Sequence, residues 1–146
     1  MNNSTNQLAV AVVDKMYHQD WFSQWLGIEI LEVGEGKCIL KMLVRKEMLN
    51  GFGIAHGGIT YSLADSALAF ASNSHGRQSV SVETSISHIV AVKEGDTLIA
   101  SAEEKSVTNK IGIYAITIKN QEEKVVALFK GIVYRTSKYW FPEDQK

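Results

Sequence analysis

Between Asn50 and Asp65 the chain reads Asn-Gly-Phe-Gly-Ile-Ala-His-Gly-Gly-Ile-Thr-Tyr-Ser-Leu-Ala-Asp. Two features of this stretch could do chemistry. Gly57 and Gly58 stand at the first turn of a helical pattern, where backbone N–H groups lack an intrahelical acceptor and the dipole is positive. Glycine also lets a ligand come close to that backbone. An N–H so placed can hold the oxyanion that develops when a carbonyl is attacked, worth roughly 3–4 kcal/mol to the transition state. The second feature is Asp65, which could deprotonate water or attack a carbonyl itself. Together they suit hydrolysis at an acyl carbonyl.

Each feature also has a plainer explanation. The two glycines would serve equally well to turn a loop tightly into a helix. A carboxylate midway along an apolar helix is costly to bury unless it is paired, neutralised or functional, and a cap or an ion pair with another element would meet that need. The four histidines, His18, His56, His75 and His88, have no metal-ligand spacing. His56 suits a hydrogen bond that fixes the loop, and solvation accounts for the other three.

The element that must position these groups is a long helix from Gly57 to about His75. Ile59, Leu63 and Ala67 share one face with Phe70 nearby, and Ala64, Leu68, Ala69 and Ala71 make the other side apolar too. A helix apolar nearly all round is a buried one. At ~1.5 Å per residue it spans roughly 30 Å, the width of a small domain.

Before it, Leu8, Val12, Val13, Met16 and Tyr17 form a helical stripe. Asp20 then caps a short turn carrying Trp21, Phe22 and Trp25, which Gly27 stops. That turn reads as a lid or packing element whose aromatic side chains would line a pocket or join the core. Residues 28–34 and 37–45 read as two strands around a Gly34–Gly36 turn. Cys38, Leu40, Met42 and Val44 alternate along the second, so Cys38 suits a small core residue better than a nucleophile. After the helix the period becomes two. Ser79, Ser81, Glu83, Ser85 and Ser87 alternate with Val80, Val82, Thr84, Ile86 and His88, which puts Ser81 on a polar face. Strands follow at residues 97–107, 111–120 and 124–136. The expected fold is one α+β domain over residues 1–146, an antiparallel sheet wrapped around a central helix, with a short tail from about residue 138.

Composition narrows the function. With 45% hydrophobic and 21% charged residues, the chain has the make-up of an ordinary globular protein. A net charge of −1 gives no argument for nucleic acid or an anionic membrane. No apolar run approaches the ~20 residues of a spanning helix, and the N-terminus lacks the basic start of a signal peptide. A single cysteine fits a reducing compartment, so a cytoplasmic location is expected. With no ligand cluster in sequence, neither a cofactor nor a metal is expected.

The stretch from Asn50 to Gly76 resembles the signature of the PaaI-like (phenylacetate-pathway) acyl-CoA thioesterases of the hotdog fold. The shared pattern is Asn-Gly-x-Gly-x-x-His-Gly-Gly, followed seven residues on by the Asp of Leu-Ala-Asp. The likeness continues through Gly95-Asp96-Thr97-Leu98 and Val126–Gly131, covering residues 25–135. The resemblance implies hydrolysis of acyl-CoA thioesters, phenylacetyl-CoA or hydroxylated derivatives among them. It assigns Asp65 as base or nucleophile and Gly57 as oxyanion donor beside His56. Asn50 would hold the water or the carbonyl, and Ser81 would orient the water. One departure is Val90-Ala91, where the family often carries Arg-Pro or a similar pair before the Gly-Asp turn.

Gly57 and Asp65 are eight residues apart, so ~12 Å separates them along one helix and both cannot touch one carbonyl. Two antiparallel helices across a two-fold axis would resolve this. Asn50, His56 and Gly57 would come from one chain, and Asp65 with Ser81 from the other. The homodimers, often tetramers, of the resembled family imply the same. Other classes fit less well. His-Gly-Gly also occurs in α/β-hydrolases, but the chain lacks a Gly-x-Ser-x-Gly elbow and is short for that fold. A hotdog dehydratase would use a different His and carboxylate pattern. A non-catalytic acyl-CoA sensor would keep the pocket without needing Asp65.

Overall fold

The structure, a computed structural model, describes residues 3–142; the last residues of the expected tail lie outside them. Helix α1 (Asn3–His18) buries Val12 and Val13 of the expected stripe. Asp20 caps α2 (Trp21–Trp25) by accepting from the Ser23 N–H at 3.0 Å, and Gly27 ends the turn with φ 75°. Strands β1 (Glu29–Gly34) and β2 (Lys37–Leu43) form a hairpin, and a single 3-10 turn (Lys46–Met48) leads toward α3 (Gly57–Asn73). Strands β3 (Arg77–His88), β4 (Thr97–Val107), β5 (Ile111–Lys119) and β6 (Val125–Tyr139) complete the chain.

The six strands form one antiparallel sheet in the order β1-β2-β4-β5-β6-β3. The chain enters α3 from the β2 side and emerges as β3 on the far edge of the sheet, so α3 lies across its concave face. Leu63, Ala67, Leu68 and Phe70 of the helix meet Leu40, Met42, Leu98, Ile116 and Phe129 in the core. Cys38 is part of that core and donates to the Ala67 carbonyl at 3.3 Å; burial pushes its thiol up to about 12, so it is inert. At the far end of α3, the buried Asn73 side chain accepts from the N–H of Ser79 (2.9 Å) and the indole of Trp140 (2.8 Å). It also donates to the Ser79 carbonyl (3.0 Å), tying the helix to edge strand β3 and to the residue that follows β6.

Three expectations need correcting. The alternation along β3 is not continuous: Ser81 pairs with Val133 but Glu83 pairs with Ile132, so Val82 is one extra residue in a β-bulge. Beyond it the phase reverses, and Thr84, Ile86 and His88 turn toward α3, Thr84 bonding the Tyr61 hydroxyl. Ser81 is therefore on the helix side. His75 is not simply solvated. Its Nδ1 lies 3.1 Å from a Glu35 carboxylate oxygen and its Nε2 meets Glu104, which also accepts from the Tyr114 hydroxyl at 2.9 Å. The aromatic side chains of α2 are exposed, so they are not core.

Leu68 of the helix packs directly over Gly131 of β6. A Cβ there would stand 2.4 Å from Leu68 Cδ2, and Leu68 is buried and cannot swing aside. Gly131→Ala should lower stability by about 1–3 kcal/mol, the usual scale for overpacking, read as a fall in the thermal or urea midpoint.

Candidate active site

The groove between α3 and β3 holds two cavities. The first, about 310 Å³, is lined by Asn50, Gly57, Thr60 and His88, with apolar side chains from Ile54 and residues 89–92. The second, about 250 Å³, is lined by Asp65, Leu68, Ser72, Ser79, Ser81 and Val133. The structure thus brings Asn50 together with Gly57, and Asp65 together with Ser81. Within one chain it does not bring the two sets together.

The first cavity is built by a loop that holds itself in place. The Asn50 side-chain carbonyl accepts from the N–H of Phe52 (2.9 Å) and of Ile54 (3.4 Å), and the Asn50 N–H donates to the Ile54 carbonyl at 2.8 Å. The turn needs φ 79° at residue 53, a left-handed value that glycine adopts freely. With Oδ1 engaged in the loop, the Asn50 amide nitrogen is the end left to donate to a ligand.

His56 caps α3. Its Nδ1 accepts from the Gly58 N–H at 3.0 Å, and its carbonyl accepts from the Ile59 N–H at 2.9 Å. Its ring lines neither cavity. Of the glycine pair, Gly58 is therefore bound within the chain, and Gly57 carries the N–H for which a helix offers no acceptor. Its residue is also open to the first cavity.

Asp65 is half-buried and forms no hydrogen bond or ion pair with a described residue. Burial raises its pKa first, and the negative charge of Asp20 raises it further. Asp20 is fixed close by. Its carboxylate accepts from the Ser23 hydroxyl at 2.6 Å, and that hydroxyl lies 2.8 Å from Ser66, the residue after Asp65. The Ser23 hydrogen goes to the carboxylate, so Ser66 is the donor of the second bond. A carboxylate that is desolvated, unpaired and faced by a like charge is a strengthened base near neutral pH.

Two cavity residues, Thr60 and His88, were not singled out from sequence, and His88 was assigned to solvent. The Thr60 hydroxyl donates to the Gly57 carbonyl at 3.1 Å and lies 3.3 Å from His88 Nδ1. Strand periodicity alone would put His88 and Ser81 on opposite faces, since seven residues separate them. The bulge at Val82 brings both to the helix side. Among the described residues, no group of three or more His, Cys, Asp or Glu side chains is placed to hold a metal ion.

This architecture and motif match a known family. The model of the thioesterase superfamily matches residues 52–127. The acyl-coenzyme A thioesterase PaaI of Escherichia coli is 41% identical over 120 residues, covering 82% of this chain and 86% of that protein. The chain belongs to the thioesterase superfamily. Its fold is the hotdog fold of that superfamily: the solved structure of Escherichia coli PaaI, from the phenylacetic acid degradation operon, superimposes with a TM-score of 0.90. That match covers 92% of this chain and 97% of the other. A thioesterase of Streptococcus pneumoniae solved with coenzyme A gives a TM-score of 0.79 at 27% identity, covering 84% of this chain and 95% of that one.

Within this superfamily the lone carboxylate makes a two-sided expectation. Asp65→Asn should lower turnover by at least about a hundredfold, the scale of a lost catalytic base. It should also raise stability at neutral pH. Because the folded state raises the Asp65 pKa, the native protein carries a penalty that appears as pH rises through that raised pKa and is absent below the unfolded value. Thermal melts of the variant and wild type should therefore diverge at neutral pH and converge in acid. A variant that keeps near wild-type turnover would make Asp65 structural.

Proposed function

We propose that this thioester hydrolase cleaves acyl-CoA thioesters to the free acid and CoA, at sites shared between two protomers. The observation that carries the reading is the division of one groove into two half-sites, a donor half at Asn50 and Gly57 and a carboxylate half at Asp65 and Ser81. Because the two halves lie at opposite ends of the groove beside edge strand β3, a two-fold axis perpendicular to that edge would bring each donor half against the partner's carboxylate half.

The chemistry then follows. Asn50 and the Gly57 N–H hold the thioester carbonyl and take up the oxyanion as it forms. Asp65 removes a proton from a water steadied by Ser81, and collapse of the tetrahedral intermediate expels the CoA thiolate, which takes up the proton. Direct attack by Asp65, through an anhydride that water opens, uses the same placement. Ser23 fixes α2 against Ser66, next to Asp65, and the exposed aromatic side chains of this helix favour an aryl acyl group such as phenylacetyl. Two such dimers would pair through the outer face of the sheet into a tetramer.

Basic contacts for the CoA phosphates come from another place than the apolar Val90-Ala91. Arg77, Lys110 and Arg135 share a cavity of about 270 Å³ with Tyr134 and Tyr139, and no carboxylate lines it. Arg77 is engaged by the carbonyls of Asn109, Arg135 and Thr136, and Arg135 donates to the Thr108 carbonyl at 2.7 Å, which leaves Lys110 as the cation of this cavity without a described partner. Tyr134 stands opposite Val80, which lines the Asp65 cavity, so the two cavities are neighbours across β3 and β6. Lys110→Glu should raise KM for acyl-CoA roughly five- to tenfold with kcat nearly unchanged, the pattern of lost ground-state binding.

The shared site is tested by mixing two dead enzymes. Gly57→Pro removes the donor N–H at a position proline tolerates; its Cβ would meet His88 at 3.1 Å, and the exposed ring can yield. Asp65→Ala removes the base. Refolded together, about half the dimers are mixed, and each mixed dimer has one site with both defects and one with neither, so activity should return to about a quarter of wild type. A mixture that stays inactive, with mixed dimers confirmed by mass, would place a whole site in each chain. A protein that only sensed acyl-CoA would release no free thiol at all.

A further inference from the structure

We propose that Phe52 of one protomer packs on the exposed aromatic face of α2 in a second copy of the chain, formed by Trp21, Phe22 and Trp25 of the partner subunit, and closes the shared site against bulk water. The inference rests on the shared-site reading above and adds to it a contact that neither half-site contains.

Both surfaces are uncovered in the single chain. Phe52 is 91% exposed, the most open large apolar side chain among the described residues. Its own loop holds it out. The Phe52 N–H donates to Asn50 Oδ1 at 2.9 Å, and the Gly53 N–H donates to the Asn50 carbonyl at 3.0 Å. A Cβ at either neighbouring glycine, Gly51 or Gly53, would meet no atom within 4 Å, so nothing in the same chain crowds the tip. On α2, Trp21, Phe22 and Trp25 are 52–71% exposed, and Phe22 stacks on Trp25 with ring centroids 6.1 Å apart. A lone apolar side chain at a surface is ordinary, but aromatic rings gathered on one short helix form a patch of the kind that marks an interaction surface.

Where these surfaces lie relative to the two half-sites selects the occupant. Phe52 is two residues from Asn50 and bonded to its side chain, so it flanks the donor half. The α2 patch flanks the carboxylate half, because Ser23 lies 2.8 Å from Ser66 and the charge of Asp20 acts on Asp65. Within one chain the surfaces stay apart, since ~12 Å of helix separates Gly57 from Asp65. Setting a donor half against the partner's carboxylate half carries Phe52 toward the partner's α2, once at each site. Aromatic rings bury large areas and attract one another in offset or edge-to-face pairs. Rings closed over the site also keep bulk water from the Gly57 N–H and from Asp65, where electrostatic interactions are stronger when water is excluded.

Thiol cross-linking tests the contact without any substrate. Phe52→Cys is made in one chain, and Trp21→Cys, Phe22→Cys or Trp25→Cys in another that carries a different tag. The native Cys38 is buried and does not compete. Each substituted position is exposed, so the variants should keep the fold. In refolded mixtures a short bismaleimide should join the two differently tagged chains for at least one pair, and Phe52→Cys alone should give no link. No link from any pair, with mixed dimers confirmed by native mass, overturns the proposal, as does equal linking by Phe52→Cys alone. Closure has its own readout. Phe52→Ala should make tryptophan fluorescence more open to acrylamide quenching and lower kcat/KM about tenfold, the scale of one lost aromatic pair, while Phe52→Tyr keeps both near wild type. Unchanged quenching and turnover in Phe52→Ala would also overturn it. If the two dead enzymes above regain activity on mixing and no link forms, only this contact is lost. If that mixture stays inactive, the shared site falls and the contact with it.

Discussion

One additional residue in β3 decides which side chains face α3. An extended strand alternates its faces with a strict period of two, so no regular strand could point both Ser81 and His88 at the same helix. The bulge at Val82 absorbs one residue, and the second half of the strand presents its other face. Ser79 and Ser81 then face the C-terminal half of α3, where Asp65 and Ser72 stand. Thr84, Ile86 and His88 face its N-terminal half, reaching Tyr61 and Thr60. A strand without the bulge would put either the serine or the histidine on the outer face of the sheet.

The helix against which β3 lies is held rigidly enough for such placement to matter. Leu68 packs onto a glycine of β6 with no room for a methyl group, and Asn73 joins the helix end to the backbone of β3 and the indole of Trp140. Asp65 sits on this fixed frame without a counter-charge. Its environment is tuned from α2, where Asp20 serves as a helix cap and as a nearby negative charge. Ser23 and Ser66 link the two helices next to the carboxylate. The N-terminal segment is thus more than packing, because its cap residue opposes ionisation of Asp65.

Charge is distributed along the molecule in a way that suits a divided substrate. The cavity beside Gly57 is largely apolar and has no cation among its lining residues, including at Val90-Ala91. Positive side chains gather instead at the β4–β5 turn and the end of β6, through Lys110 and Arg135 with Arg77. An apolar acyl end and a multiply charged nucleotide end ask for such separation, since phosphates need cations that an acyl pocket is better without.

Much of this was legible in the chain itself. The all-round apolar pattern of residues 59–71 identified a buried central helix, and period-two stretches with polar turns gave the strands to within a few residues, because these depend on local spacing. The motif from Asn50 to Asp65 named the chemistry, and the length of the helix between Gly57 and Asp65 separated its two halves. What local spacing could not supply was any fact depending on the neighbouring strand. The bulge is a mismatch between β3 and β6, invisible in β3 alone, so strand spacing could not show that Ser81 and His88 both stand on the helix side. His75 likewise looked free because its partners Glu35 and Glu104 lie far away in sequence. The exposure of Trp21, Phe22 and Trp25 also had to come from tertiary structure. Aromatic composition says that a surface is apolar, but only the packing of Ser23 against Ser66 decides which side of α2 is turned away from the core.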